Sequence, residues 1–201
     1  MYLPAHFAQN DPAALQGLVR DHPLATLVSS TGPDGLTADH VPLEFDADAG
    51  CLRGHVARAN PLWQHADGQA VLAIFRGPEA YVSPSWYPSK AEHHKVVPTW
   101  NYAVVHAHGP LQAVHDAPWL HTLVTRLTLQ HEAPRATPWA VGDAPAPFID
   151  QMLKVIVGIQ IPVARWVGKW KLSQNRSAAD RDGVAQGLAA DRSSLSGWID
   201  R

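Results

Sequence analysis

The chain has 201 residues, an apolar share of 46% and a formal net charge of −2 with histidine counted as neutral. These values fit a globular protein with a core, and the net charge gives no electrostatic reason to expect the phosphate-backbone binding of a basic nucleic-acid protein. DNA binding would need a local basic patch or a partner, so we do not expect specific DNA binding by this chain alone. Its single cysteine, Cys51, excludes an internal disulfide framework. The first residues lack signal-peptide features, and no segment approaches the roughly 20 apolar residues of a membrane span. We therefore expect a cytoplasmic protein.

The first part of the chain predicts one helix and three strands. Residues 11–20 begin with a capping aspartate and a proline and carry apolar residues at helical spacing, which predicts a helix. Residues 24–29 and 36–45 predict two strands joined as a hairpin by the turn residues at 32–35. Residues 52–57 alternate apolar and polar side chains and predict a third strand.

Directly after this strand, residues 58–61 read Arg-Ala-Asn-Pro and predict the start of a helix. Asn60 is a favourable N-cap and Pro61 a favourable first helical residue, so free backbone N–H groups would lie beside Arg58. Such a combination attracts phosphate or carboxylate. The alternative is an ordinary capped helix with a solvated arginine.

Residues 81–109 form the stretch around which we expect a site. An apolar strand at 70–75 and the turn residues at 77–78 precede it. Residues 83–98 carry three prolines, two lysines, two histidines, a tryptophan and a tyrosine, with neither a helical nor a strand period. A connection of this length in a compact domain is usually a binding loop or disordered. Its aromatic and cationic side chains favour a binding loop.

The strand that follows Pro98 has one bulky face and one small face. The bulky face holds Trp100, Tyr102, Val104, His106 and His108, and the small face holds Asn101, Ala103, Val105 and Ala107. The small face would admit a planar ligand or a neighbouring backbone, or it would pack beneath a helix. The histidines of this strand and of the preceding loop could bind a metal, but no carboxylate or cysteine accompanies them, so we predict no metal site.

The second half of the chain predicts a well-defined helix at 116–132, a covering loop at 133–147 and a strand at 153–161. Residues 167–173 predict a further strand, which leads to a helix with its N-cap at Ser177. One face of this strand and the residues after it form a polar run: Lys169, Lys171, Ser173, Gln174, Asn175 and Arg176. The run is either a cluster of donors for a phosphate or an edge strand that its lysines protect against aggregation.

Several strands broken by short helices, without regular alternation, favour an antiparallel barrel with attached helices over a doubly wound sheet. The predicted fold class is mainly β (α+β), as a single domain over residues 1–201 with a C-terminal helical extension. The sequence contains no Walker loop, Rossmann fingerprint, serine nucleophile elbow or paired-cysteine zinc motif. Nucleotide-binding and hydrolase folds of those kinds are therefore excluded.

Sequence blocks along nearly the whole chain resemble the PaiB-like family of FMN-binding proteins, often labelled negative transcriptional regulators. The blocks are MYLPAHF, LATLVSS, ADHVPLEF, LRGHVARANPLW, AYVSPSWYPSK, VVPTWNYAVVHAHG, IVGIQIP, GKWKLSQNR and DRDGVAQGL. The resemblance implies an FMN-binding split β-barrel with peripheral helices. It also implies a homodimer with two flavin sites at its interface.

The resemblance further implies which residues contact FMN. The phosphate would be held by His40, His55, Arg58 and Asn60. The other side of the flavin would be contacted by Trp100, Asn101 and Tyr102 and by the run Lys169, Lys171, Ser173, Gln174, Asn175 and Arg176, from the same or the second subunit. No residue is an obvious proton donor or hydride-transfer partner, so the catalytic residues are unknown and any catalysis would be carried by the flavin.

The resemblance leaves three functions open. The first is an FMN-binding protein with an indirect role in negative transcriptional regulation. The second is an FMN-dependent oxidoreductase or flavin reductase. The third is a haem-binding or haem-degrading split barrel in which a histidine ligates iron.

Overall fold

The computed structural model describes residues 1–33 and 35–199. Within these ranges the chain forms ten strands, six α-helices and four 3₁₀ turns. The strands are β1 (Ala8–Gln9), β2 (Leu24–Gly32), β3 (Gly35–Pro42), β4 (Glu44–Asp46), β5 (Cys51–Ala57), β6 (Ala70–Val82), β7 (Thr99–Pro110), β8 (Gln112–Val114), β9 (Ile156–Pro162) and β10 (Arg165–Lys171). The helices are α1 (Pro12–Asp21), α2 (Leu62–His65), α3 (Ser89–His93), α4 (Ala117–Glu132), α5 (Ala146–Lys154) and α6 (Ala178–Ala190). The 3₁₀ turns are Ala5–Phe7, Pro84–Trp86, Val141–Asp143 and Ser196–Trp198.

The described residues divide into two compact units, each assembled from separate segments of the chain. The first unit contains Met1–Asp21, Arg76–His106 and residues 167–199, and the second contains His22–Phe75 and Ala107–Trp166. Strands β6, β7 and β10 contribute residues to both units. A single domain over residues 1–201 stays a prediction.

In the first unit, β1, β10, β7 and β6 are neighbours in this order in one sheet. β1 pairs antiparallel with β10, with Ala8 opposite Lys169. The helix α1 buries Leu15, Leu18 and Val19, the apolar residues whose spacing predicted it. The helix α6 buries Val184 and Leu188 on its inner face. These burials supply the apolar core of the unit.

In the second unit, β2 pairs antiparallel with both β3 and the first half of β6. A separate four-stranded sheet has the order β4-β5-β9-β8 and is antiparallel throughout. The predicted strand at 36–45 is divided at the fully buried Leu43, so that β3 and β4 belong to different sheets. The predicted hairpin turn at 32–35 includes Asp34, which lies outside the described residues.

The two helix starts with the strongest capping signals are confirmed. Asp116 accepts a hydrogen bond from the backbone N–H of Trp119 at 2.9 Å and caps α4. Ser177 accepts one from the backbone N–H of Asp180 at 3.2 Å and caps α6. The start of each of these two helices is thus determined by a capping residue that lies next to it in the sequence.

Three predicted elements differ from the structure. The strand predicted at 70–75 continues as β6 to Val82, because Gly77 does not form a turn there; a Cβ at this position would lie 2.9 Å from Leu18, so the glycine permits close packing. The loop at 83–98 contains a 3₁₀ turn and the helix α3. The strand predicted at 153–161 begins only at Ile156, because the prolines near 145 start helix α5, which ends at Lys154.

Candidate functional site

The strongest concentration of positive charge among the predicted site residues lies at the end of β10 in the first unit. Lys169 and Lys171 alternate on this strand, and Arg176 follows in the turn before α6. We call these three residues the β10 cation cluster. β10 lies between β1 and β7 and is therefore not an edge strand. This position removes the alternative in which the lysines protect an exposed edge.

Lys169 is buried, with only 8% of its surface exposed. Its Nζ donates to the carbonyl oxygen of Tyr2 at 3.2 Å and lies 5.8 Å from the ring centre of Tyr2 and 5.4 Å from that of Tyr102. These partners are neutral, so the rings attract the ammonium through their quadrupoles without cancelling its charge.

Lys171 is half-buried and donates to the Oγ1 of Thr99 and to the carbonyl oxygen of Trp100, the latter at 2.5 Å. Burial lowers the pKa of its ammonium below the ordinary value of 10.5, and the charges of Lys169 and Arg176 lower this pKa further. The protein thus holds Lys171 where its charge is unfavourable in the absence of an anion.

Arg176 places its guanidinium 4.9 Å from the ring centre of Tyr87. The nearby carboxylate of Asp180 accepts hydrogen bonds from the backbone N–H and the hydroxyl of Ser89. Among residues 1–33 and 35–199, no carboxylate forms an ion pair with any of the three cations of the cluster. The two lysines of the cluster are therefore uncompensated, whereas the charge of Asp180 acts on Arg176.

Asn101 and Ser173 connect β7 to the turn that carries Arg176. The side-chain amide of Asn101 donates to the Oγ of Ser173 at 2.9 Å, and both residues are buried. Ser173 adopts a left-handed backbone with φ of 68°. Gln174 stabilises the turn by donating to the carbonyl of Trp170 at 2.7 Å. The Oδ1 of Asn101 is buried without a hydrogen-bond partner among the described residues.

Two aromatic rings lie exposed next to the cluster. Trp100 is 55% exposed and Tyr81 is 49% exposed, and their ring centres are 6.2 Å apart in an edge-to-face arrangement. The carbonyl of Trp100 is a hydrogen-bond acceptor of Lys171. Aromatic surface and positive charge thus adjoin in the first unit. Asn175, in the turn before α6, is also exposed.

The four residues predicted to hold a phosphate lie in the second unit, where three of them have hydrogen-bond partners within the protein. His40 is exposed and lies within 3.3 Å of the Thr26 hydroxyl. Arg58 donates through Nε to the carbonyl of Lys154 at 2.7 Å and through Nη2 to that of Ile156 at 2.8 Å. Two of its three guanidinium nitrogens are therefore engaged with backbone.

Asn60 does not start a helix long enough to attract an anion. Its Oδ1 accepts from the backbone N–H of Leu62 at 2.8 Å, but α2 has only four residues. Its Nδ2 donates to the carboxylate of Asp39 at 2.6 Å. That carboxylate would repel a phosphate, so these contacts do not favour an anion at Asn60, and the predicted phosphate contact stays a prediction. His55 lies apart from this contact, on β5 beside a pocket of 360 Å³.

Comparison with known proteins identifies the family. A family model described as "Putative FMN-binding domain" matches residues 1–165. The chain belongs to this family. It is 34% identical to an uncharacterized protein from Emericella nidulans, over 94% of this chain and 90% of that protein. It is 31% identical to Protease synthase and sporulation protein PAI 2 from Bacillus subtilis, over 94% of this chain and 89% of that protein.

These matches confirm the resemblance to the PaiB-like family, and FMN, the predicted cofactor, is the one in the family's description. A solved structure of the same fold is the FAD and heme binding protein from Mycobacterium smegmatis, with a TM-score of 0.63 and 14% identity over 90% of this chain and 80% of that protein. At this identity the likeness shows the fold alone. The predicted split β-barrel with peripheral helices is confirmed.

Reasoning from the sequence missed three neighbours of the β10 cation cluster, namely Tyr2, Tyr87 and Thr99. All three lie in or beside blocks that carried the family resemblance, which is the signal that could have identified them. Within the described ranges, no three His, Cys, Asp or Glu side chains are grouped as a metal site. No helix in those ranges has the length and apolar character that crossing a membrane requires.

Proposed function

We propose that the chain binds FMN in the first unit, with the phosphate against the β10 cation cluster and the ring system against the exposed aromatic pair. The observation that carries this proposal is the absence, among the described residues, of any carboxylate paired with Lys169, Lys171 or Arg176. Three neighbouring cations repel one another, and this repulsion destabilises the folded protein. A bound phosphate would offset the repulsion.

The donor set fits the chemistry of FMN. Lysine and arginine nitrogens suit a phosphate, and Trp100 and Tyr81 offer exposed ring surface for a flat heterocycle. Asn101 Oδ1 is a further acceptor without a partner among the described residues, and its amide donates to Ser173 in the turn that carries Arg176. When bound, FMN supplies redox chemistry, and the residues of the chain hold and orient it.

Titration with FMN and with riboflavin, which lacks the phosphate, tests the assignment. We expect the wild-type chain to bind FMN at least about tenfold more tightly than riboflavin. Lys171→Gln should reduce FMN affinity by about ten- to a hundredfold, because a charge-assisted contact contributes roughly 1.5–3 kcal/mol, and it should change riboflavin affinity little. Arg20→Gln is the matched control, since Arg20 is an exposed cation of the same unit that is paired with Asp21.

Two outcomes contradict the assignment. One is equal affinity of the wild-type chain for FMN and riboflavin. The other is a Lys171→Gln variant that loses affinity for both flavins alike. The absorption spectrum of the purified protein separates the cofactors, because flavin bands indicate FMN, whereas a Soret band indicates the alternative of a haem-binding split barrel.

We further propose a homodimer with two flavin sites at its interface. The exposed Trp100 and Tyr81 support this arrangement, since a second copy of the chain could cover a ring that lies on them. Light scattering at micromolar concentration should give the mass of two chains with and without FMN. The mass of a single chain would reject the dimer without affecting the flavin titration.

We propose an indirect role in negative regulation of gene expression, through flavin-linked metabolism or a partner protein. The name of the relative from Bacillus subtilis supports a link to sporulation and protease synthesis for that protein. The net charge of −2 gives no basis for strong binding to duplex DNA. Sub-micromolar, sequence-specific binding of one duplex at about 0.15 M salt would contradict the indirect role. The alternative, an FMN-dependent oxidoreductase, would show turnover of a reduced nicotinamide with the FMN-loaded protein.

A further inference from the structure

A pocket of 360 Å³ in the second unit is separate from the residues proposed to hold FMN. Its walls include Pro42, His55, Leu127, His131 and Trp139. Aromatic and aliphatic side chains thus surround a space within the range of about 300–1,000 Å³ that is typical of small-molecule sites.

The backbone of Trp139 is held in place by the end of helix α4. The carboxylate of Glu132 accepts hydrogen bonds from the backbone N–H of Trp139 at 3.0 Å and from the Nε of Arg135 at 3.1 Å. These contacts attach the loop that follows α4 to the end of that helix. Trp139 remains 45% exposed, so its indole offers ring surface to the pocket that it lines.

The imidazole of His55 has one buried nitrogen that is not satisfied. Its Nδ1 has no hydrogen-bond partner among residues 1–33 and 35–199. Burial lowers the pKa of His55 below the ordinary 6.5, so the ring is neutral at neutral pH. Orphaned buried N–H groups are rarer than orphaned acceptors, so we assign the single proton to Nε2 from the hydrogen-bond environment. Nε2 is then a hydrogen-bond donor on the ring that lines the pocket.

The charges around the pocket do not favour a phosphate. The described residues that line it include no lysine or arginine, and one of them, Glu132, is a carboxylate. A flavin mononucleotide would have no partner here for its dianionic group. A ring compound with an acceptor oxygen and no anionic tail matches the lining.

We propose that this pocket binds a flat, conjugated cyclic carbonyl compound of one or two rings, such as a quinone, with the ring on Trp139 and a carbonyl oxygen accepting from the Nε2 of His55. The site goes beyond FMN binding and takes a ligand of different chemistry. Its occupant would be a second, uncharged ring compound that binds independently of the flavin phosphate.

Isothermal titration calorimetry with duroquinone tests the proposal. All ring carbons of this quinone are substituted, so it cannot alkylate Cys51. We expect saturable binding to the FMN-saturated protein, with at least a tenfold loss of affinity in His55→Phe and in Trp139→Ala. Phe148→Ala is the matched control, because Phe148 is a similarly exposed aromatic residue, at 50%, that does not line the pocket. Its affinity should equal that of the wild-type protein.

Three results would overturn the proposal: no saturable binding, wild-type affinity in Trp139→Ala, or displacement of duroquinone by FMN. Displacement by FMN would assign the pocket to the flavin ring. Trp139 lies on the surface in a loop, so its substitution keeps the test decisive if His55→Phe fails to fold. Failure of the FMN titration with Lys171→Gln would leave these quinone measurements unaffected, so the two proposals fail separately.

Discussion

Arg58 donates from its Nε to the carbonyl oxygen of Lys154, 2.7 Å away, across 96 residues of sequence. A second hydrogen bond runs from its Nη2 to the carbonyl oxygen of Ile156 at 2.8 Å. Arg58 therefore contacts both the end of α5 and the start of β9. The carbonyls at a helix end lack intrahelical partners, and a cation there also interacts favourably with the helix dipole. Arg58 is thus a structural link between α5 and β9.

Arg58→Ala should therefore lower stability more than flavin affinity. We expect a loss of about 1 kcal/mol in the free energy of unfolding, because two hydrogen bonds of a partly exposed side chain are removed. The affinity for FMN should change by less than about threefold. Urea unfolding and flavin-fluorescence titration of the same preparation measure both quantities. A ten- to hundredfold loss of FMN affinity at unchanged stability would return the phosphate to the site that the sequence predicted.

The depressed pKa of Lys171 makes a further prediction about pH. In the free protein, burial and the neighbouring cations lower this pKa below 10.5, so the ammonium loses its proton at lower pH than an ordinary lysine. A bound phosphate favours the protonated form and raises the pKa, so FMN binding is accompanied by proton uptake. FMN affinity should then fall as pH rises through the depressed pKa toward about 10.5.

Titrations of FMN and riboflavin between about pH 7 and about pH 10 measure this dependence. Riboflavin shares the ring ionisation of FMN, so the ratio of the two affinities isolates the effect of the phosphate. This ratio should decline with pH in the wild-type protein and stay flat in Lys171→Gln. An equal decline in both proteins would assign the effect to another group.

Local signals made part of this structure predictable from sequence. Asp116 and Ser177 cap their helices through residues three positions away, so a short window contains the whole interaction. The alternation along β7 predicts that Asn101, Ala103 and Val105 share one face, and all three are buried. The same period of two places Lys169 and Lys171 on one face of β10, and their role in binding stays a prediction.

Contacts between distant parts of the chain were not predictable. Lys169 contacts the carbonyl of Tyr2 across 167 residues, and Arg58 contacts Lys154 across 96. No periodicity records such pairs, so the prediction of Arg58 as a phosphate ligand, made from its neighbours in sequence and from the family resemblance, takes no account of its contacts with residues 154 and 156. Leu153 and Val155 fit a strand period by coincidence; Leu153 is in a helix and Val155 is 54% exposed.

The packing of Trp86 on helix α6 predicts opposite effects of two glycine substitutions. A Cβ at Gly187 would lie 2.2 Å from the ring of Trp86, whereas one at Gly17 in α1 would meet only Arg20, at 3.7 Å. Alanine is favoured over glycine inside a helix where space permits. Gly187→Ala should thus destabilise the protein by about 1–3 kcal/mol, and Gly17→Ala should stabilise it by about 0.5–1 kcal/mol. Urea unfolding measures both, and stabilisation by Gly187→Ala would show that Trp86 does not pack there in solution.

A network of four charges joins α4 to β4 and β5 in the second unit. The Nε of Arg126 lies 3.2 Å from the Oε1 of Glu44. The Nη1 of Arg126 donates a hydrogen bond to the Oδ2 of Asp46 at 2.9 Å. Arg53 also donates to Asp46. Burial raises the pKa of Glu44 above 4.5, despite the nearby arginines. The backbone N–H of Ala49 and the guanidinium of Arg126 lower the pKa of Asp46 below 3.8.

The two carboxylates should therefore affect stability in opposite directions with pH. Because the pKa of Glu44 is raised on folding, its contribution is complete below pH 4.5 and is lost as pH rises through the folded-state pKa. The contribution of Asp46 is present above pH 3.8 and is lost as pH falls through its folded-state pKa.

Relative to the wild-type protein, Glu44→Gln should gain stability with rising pH. Asp46→Asn should cost roughly 1 kcal/mol near neutral pH and progressively less in acid. Urea unfolding between about pH 3 and about pH 8 measures both curves, and parallel curves for the two variants would refute the assignment of opposite shifts.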